Sequence, residues 1–148
     1  MAKTPNWLNP REMKAWRSYI IASRRLLDAL DFDLDQHDLS MADYEVLALL
    51  SDAPSRKMRM SELAELAMVS KSRLSHRMKV MEKAGWVKRE DCPDDKRGYF
   101  AVMTDKGFKA IAKAAPDHVE SVRNRLLDHL TVKDPVSYTH LRAHETDS

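Results

Sequence analysis

The chain has 148 residues, 43% hydrophobic and 32% charged, with a mean hydropathy of -0.55. That is the size and balance of one domain or compact subunit able to bury its own core, and it excludes collagen-like, mucin-like and most disordered classes. The net charge of +2 hides an asymmetry: Pro54 to Phe100 holds 12 Lys/Arg against 7 Asp/Glu, whereas the rest holds 13 against 16. A basic middle between acidic arms points to a localised contact with a polyanion.

The first element reads as a long helix from about Pro10 to Asp38. Pro10 suits a first helical position. Met13, Trp16, Ile20, Leu27, Leu30 and Leu34 recur at helical spacing, and Tyr19, Ile21 and Leu26 add a second apolar flank. One small core does not use both flanks, so a partner chain is expected. Ser40 is a good N-cap for a helix over Met41 to Ser51, with Asp43 as a weak capping-box partner. Tyr44, Leu47, Ala48 and Leu50 should face its core. A short basic loop with Arg56 and Lys57 follows Pro54.

Ser61 opens a short third helix. Ser70 caps a fourth, Lys71 to Ala84, which Gly85 ends. Two helices joined through Met68-Val69-Ser70 form a helix-turn-helix pattern. The period then changes. Trp86 to Glu90 and Tyr99 to Met103 read as two strands around a polar turn, Pro93 to Gly98. Thr104 caps a last long helix to about Leu130, with Phe108, Ile111, Ala115, Val119, Val122, Leu126 and Leu130 as its apolar positions. Pro116 should kink or split it. A further helix expected after Thr131 does not arrive.

Placing Leu74 at 0° and advancing about 100° per residue puts Met78 and Met81 on the same buried face of the fourth helix. Ser72, Ser75, His76 and Lys79 point away from it, and Arg73 and Arg77 flank them. No carboxylate interrupts this face before Glu82. Short hydroxyls and His can reach base edges in a major groove, while Arg bonds guanine or grips phosphate. The hairpin tip adds Lys96 and Arg97, suited to a minor groove, with Asp95 placed to orient the Arg97 guanidinium. An ordinary solvated basic face and a plain polar turn are the competing readings of each part alone. The order helix-turn-helix, hairpin, helix is more specific than either.

The run MSELAELAMVSKSRLSHRMKVMEKAGWVKRE followed by CPDDKRGYFAVMTDKGFKAI resembles the MarR (multiple antibiotic resistance regulator) family of winged helix-turn-helix transcriptional regulators. Met81-Glu82-Lys83-Ala84-Gly85-Trp86-Val87-Lys88-Arg89 matches the pattern L-E-x-x-G-L-V-x-R. Asp95-Lys96-Arg97 matches the wing signature, and Met103-Thr104-Asp105-Lys106-Gly107 matches the opening of the last long helix. The likeness spans about Trp16 to Asp134.

It implies a mainly α winged helix-turn-helix domain over 40–104, with dimerisation helices over 10–39 and 105–134. It further implies a homodimeric, cytoplasmic, ligand-responsive repressor. Two recognition helices would occupy half-sites of a pseudo-palindromic operator about 34 Å apart, and an effector would bias their spacing. Ser70, Lys71, Ser72, Arg73, Ser75, His76, Arg77, Lys79, Lys96 and Arg97 are the expected DNA contacts, with Asp95 supporting the wing. Val80 stands where many relatives have a polar or basic residue, so that contact is expected to be absent. Gly98 replaces a commoner Ala or Ser and is expected to loosen the wing. Trp16, Tyr19 and Tyr44 are candidates for an aromatic or phenolic effector pocket, although core roles explain each of them.

Other chemistry has little support. One cysteine, Cys92, permits no internal disulfide and no usual structural zinc site. It sits at the end of the first wing strand beside Arg89, and a structural or incidental thiol is the simpler reading. Three glycines leave no phosphate-cradling loop. His37, His118 and His129 lack ligand spacing. No cofactor, metal or catalytic set is expected, and the chain is read as a non-enzyme. No apolar run reaches the ~18 residues of a membrane span, and MAKTPNWLNPREMKAW lacks the apolar core of a secretory signal. The alternative to DNA binding is a winged helix that docks protein alone. The final PVSYTHLRAHETDS resembles translated sequencing-adapter read-through; on that reading residues 135–148 are non-native and the last dimer helix is truncated.

Overall fold

Asn9 starts the first helix by a reciprocal bond. Its side chain accepts the Glu12 N–H at 2.9 Å, and Glu12 accepts the Asn9 N–H at 2.9 Å, with Pro10 as the first helical residue. This computed structural model describes residues 1–130. Helix α1 runs Pro10–Leu34 and tightens into a 3₁₀ turn at Asp35–His37, closed by Asp38 in the left-handed region at φ 58°. Ser40 then caps α2 (Met41–Asp52). The Asp43 carboxylate accepts the Ser40 N–H at 3.0 Å, so the short side chain completes the capping box after all.

The segment expected to be a loop forms a third strand, β1 (Lys57–Arg59), before α3 (Met60–Leu66). Helix α3 starts one residue before Ser61, without a side-chain cap. Ser70 Oγ accepts the Arg73 N–H at 3.2 Å and opens α4 (Lys71–Lys83). Gly85 takes φ 81°, which lets its N–H reach the Glu82 carbonyl and the Trp86 N–H reach that of Met81.

Strands β2 (Val87–Cys92) and β3 (Asp95–Met103) form the wing hairpin, in a sheet of order β1-β3-β2. Both are longer than their periodicity predicts. Pairing with β2 carries Asp95 to Gly98 into the strand, and a register shift at Asp91/Cys92 absorbs the tight tip. Thr104 caps α5 (Asp105–Arg125), whose Gly107 N–H meets Thr104 Oγ1 at 3.1 Å. Pro116 does not split α5. It is exposed, and the helix continues through it: Ile111 and Ala114 seat the preceding turns on the core, while beyond it His118 packs on Tyr44 and Arg125 pairs with Asp33. The helix ends at Arg125, short of Leu130, and a 3₁₀ turn occupies Leu127–His129.

The core gathers Leu34, Leu47, Leu50, Leu63, Leu74, Met78 and Met81 from four helices, against Val87 and Ala101 of the sheet and Ile111 and Ala114 of α5. Most of α1 takes no part. Of its predicted apolar positions only Leu30 and Leu34 are buried, while Trp16, Tyr19, Ile21 and Leu27 are exposed. Helix α5 meets α1 through a two-pronged Arg125–Asp33 pair at 2.7 and 2.9 Å, and the 3₁₀ turn after α1 through His37–Asp117 at 2.7 Å. The architecture is a mainly α winged helix-turn-helix with long flanking helices. Among the described residues no helix is long and apolar enough to cross a membrane. The helix expected after Thr131 and the tail 135–148 lie outside the described residues.

Candidate nucleic-acid interface

Helix α4 buries Leu74, Met78 and Met81 completely or nearly so. The 100° rotation per residue then turns Lys71, Ser72, Arg73, His76 and Lys79 to solvent, and all five are exposed. Ser70 is exposed at the cap, where its hydroxyl also lies 3.2 Å from that of Ser72. Ser75 and Arg77 are only half-buried, because neighbouring elements hold them. Val80 is exposed, so the outward face has one apolar member among polar ones.

Arg77 reaches back to α2, where its Nη1 donates to Asp43 Oδ1 at 3.3 Å. Asp43 is 5% exposed and is the one buried charged residue among the described residues. A buried carboxylate without a cation is costly, so this pair anchors the recognition helix. Arg89 does the same from the other side. Its guanidinium meets Glu82 Oε1 at 2.8 Å and the Ser75 carbonyl at 3.1 Å, joining β2 to α4.

At the wing, Lys96 and Arg97 are exposed. Asp95 supports them differently from the expectation: its Oδ1 accepts the backbone N–H of Arg97 at 3.0 Å, shaping the strand instead of aiming the guanidinium. Gly98 gives that carboxylate room, since a Cβ there would stand 3.1 Å from Asp95 Oδ2. Cys92 is buried beneath the tip. A groove of about 390 Å³ separates wing from helix, and Arg59, Lys71, Ser75, Arg89 and Arg97 are among its lining residues. Four cations around one groove make an anion-attracting surface. Arg59 and Arg89 were not among the expected contacts: β1 brings the first to the groove, and the second is turned inward by Glu82.

The MarR-family profile matches residues 37–98. The HTH-type transcriptional regulator PecS of Dickeya dadantii is 32% identical over 117 residues, which cover 78% of this chain and 68% of PecS. The MarR family transcriptional regulator AbsC from Streptomyces coelicolor superposes with a TM-score of 0.84 at 44% identity, covering 95% of this chain and 93% of AbsC. Sco3205, a MarR family regulator of the same organism solved in complex with DNA, superposes at 0.89 with 42% identity over 97% of this chain and 91% of its own.

The chain belongs to the MarR family of winged helix-turn-helix transcriptional regulators.

In this MarR-family chain the three candidate effector-pocket residues fall into two aromatic pairs. Trp16 and Tyr19 lie along α1, 53% and 66% exposed, with ring centroids 6.5 Å apart. Tyr44 instead packs on the His118 ring at 4.1 Å, between α2 and α5. Burial raises the Tyr44 pKa and lowers that of His118, while the Asp33 charge opposes the latter shift. Asp33 itself is held below the usual carboxylate range, first by its hydrogen bond from Arg125. Cavities of about 440, 390, 630 and 400 Å³ mark the surface, and none of these four is lined by Trp16, Tyr19 or Tyr44. Among the described residues no three His, Cys, Asp or Glu converge as metal ligands.

Proposed function

We propose that this regulator acts in the cytoplasm as a homodimer that binds a pseudo-palindromic DNA operator and represses transcription. The observation that supports this reading is the exposed, carboxylate-free face of α4 beside the cationic wing groove. Ser70, Lys71, Ser72, Arg73, Ser75, His76 and Lys79 would meet the major groove, and Lys96 and Arg97 the minor groove. Arg77 would act at the same surface while tied to Asp43. The apolar flank of α1, with Ile21 and Leu27 about half exposed, favours a second copy as its cover. Two copies would present two recognition helices about one DNA turn apart, ~34 Å.

An aromatic or phenolic effector is a further part of the reading, with Trp16, Tyr19 and Tyr44 as the residues to probe. A ligand that prefers one spacing of the two α4 helices would shift the dimer toward it and away from DNA.

Gel shift with fragments of the source genome, repeated over a salt series, tests the function. Specific binding that weakens steeply with salt supports it. A chain that captures protein partners and never retards DNA would establish the protein-docking alternative.

A further inference from the structure

We infer that Arg89 is a positioning residue of the base-reading surface: it fixes the Ser75 hydroxyl as a hydrogen-bond donor toward DNA, and so dictates an acceptor on the base opposite. The inference rests on the proposed DNA-binding function and deepens it.

A serine hydroxyl offers one proton and two acceptor sites, and its rotor usually leaves it able to play either part. Ser75 has lost that freedom. Arg89 Nη2 approaches Ser75 Oγ at 3.4 Å and the Ser75 carbonyl at 3.1 Å, while Arg89 Nε is held by Glu82 Oε1 at 2.8 Å. The guanidinium is therefore locked between three oxygens of one helix, and it presents donors only. Facing a donor, the Ser75 oxygen serves as acceptor on that side and its own proton turns away.

Inside a helix that proton commonly returns to the carbonyl four residues back. Ser23 does so on α1, donating to the Tyr19 carbonyl at 2.8 Å. Ser75 makes no such bond among the described residues. Ser75 lines the groove shared with Lys71 and Arg97, and on this inference its proton is left to donate into that groove. In a major groove, guanine N7 and O6, adenine N7 and thymine O4 accept such a proton, whereas the cytosine N4 amino group offers another donor. One half-site position should consequently discriminate against cytosine.

The test is selection from a randomised duplex pool, read by sequencing, with wild type, Ser75→Ala, Arg89→Ala, Arg89→Lys and Ser75→Ala/Arg89→Ala. Wild type should exclude cytosine at one half-site position by about fivefold, the size of one modest hydrogen bond. Ser75→Ala and Arg89→Ala should each abolish that exclusion, and the double variant should add nothing. Arg89→Lys retains the charge and loses the planar fork, so it should keep the salt dependence while losing the exclusion. Because the readout is a ratio between bases, partial loss of stability leaves it interpretable. Retention of the exclusion in either Arg89 variant would overturn the inference while leaving DNA binding intact. Absence of salt-sensitive binding by the wild type would remove the functional reading and this inference together.

Discussion

Arg77 Nη1 stands 3.3 Å from Asp43 Oδ1, across 34 residues of chain. The same carboxylate accepts the Ser40 N–H from its other oxygen at 3.0 Å. One side chain thus starts α2 and holds α4 against it. Arg73, one turn earlier on α4, is exposed and has no ion-pair partner among the described residues.

The two arginines should therefore separate. Arg77→Gln is expected to lower stability by about 1 kcal/mol, since the cation is partly exposed and the carboxylate keeps its capping bonds. Arg73→Gln should leave stability unchanged and reduce the slope of log affinity against log salt by about one unit. Urea unfolding and a salt series of DNA titrations read the two effects. Equal stability losses in both variants would refute the anchoring role of Arg77.

The wing makes a second prediction. Arg97→Ala should weaken binding and flatten the salt slope by about one unit. Asp95→Ala should weaken binding with the slope unchanged, because Asp95 supports the Arg97 backbone and not its charge. An unaltered affinity in Arg97→Ala would place the wing away from DNA.

Gly107 offers a stability test far from the interface. A Cβ there would fall 2.1 Å from the Trp86 carbonyl oxygen, which also accepts the Thr104 N–H at 2.9 Å. The Trp86 backbone, with the Met103 side chain beside it, leaves little room to yield. Gly107→Ala should cost about 2 kcal/mol or more in urea unfolding, or prevent folding. Wild-type stability would mean that α5 can slide relative to β2.

His118 predicts a pH effect. Burial against Tyr44 lowers its pKa, and its Nδ1 is buried with no hydrogen-bond partner. Below pH ~6.5 the unfolded chain therefore takes up this proton before the folded one does. Stability should fall as pH drops below about 6.5, because only the unfolded chain then gains the proton readily. His118→Phe should show a shallower decline over that window in parallel denaturation curves. Superimposable pH profiles would sink the assignment.

The homodimer is open to direct measurement. Leu27→Glu puts a carboxylate on a half-exposed apolar flank of α1 that the core does not use. Sedimentation should report a dimer for wild type and a monomer for the variant, with DNA binding lost in parallel. A variant that stays dimeric would move the interface elsewhere.

Much of this molecule is legible from near neighbours in the chain. The spacing of Leu74, Met78 and Met81 determines which side of α4 is buried, and so which residues are left for a partner. Ser40, Ser70 and Thr104 announce their helices because a cap bonds an amide three residues away. The switch from helical to alternating period after Gly85 announces the wing. Three-residue β1 is too short to show a period, and it exists only because β3 offers it a ladder. The apparent break at Pro116 is overruled by packing on both sides. Tertiary structure alone decided that Arg77 belongs to Asp43, Arg89 to Ser75, and His37 to Asp117, since 14 to 80 residues separate these partners. Local rules act over one or two helical turns, whereas a side chain's partner across the core depends on how whole elements come to rest against one another.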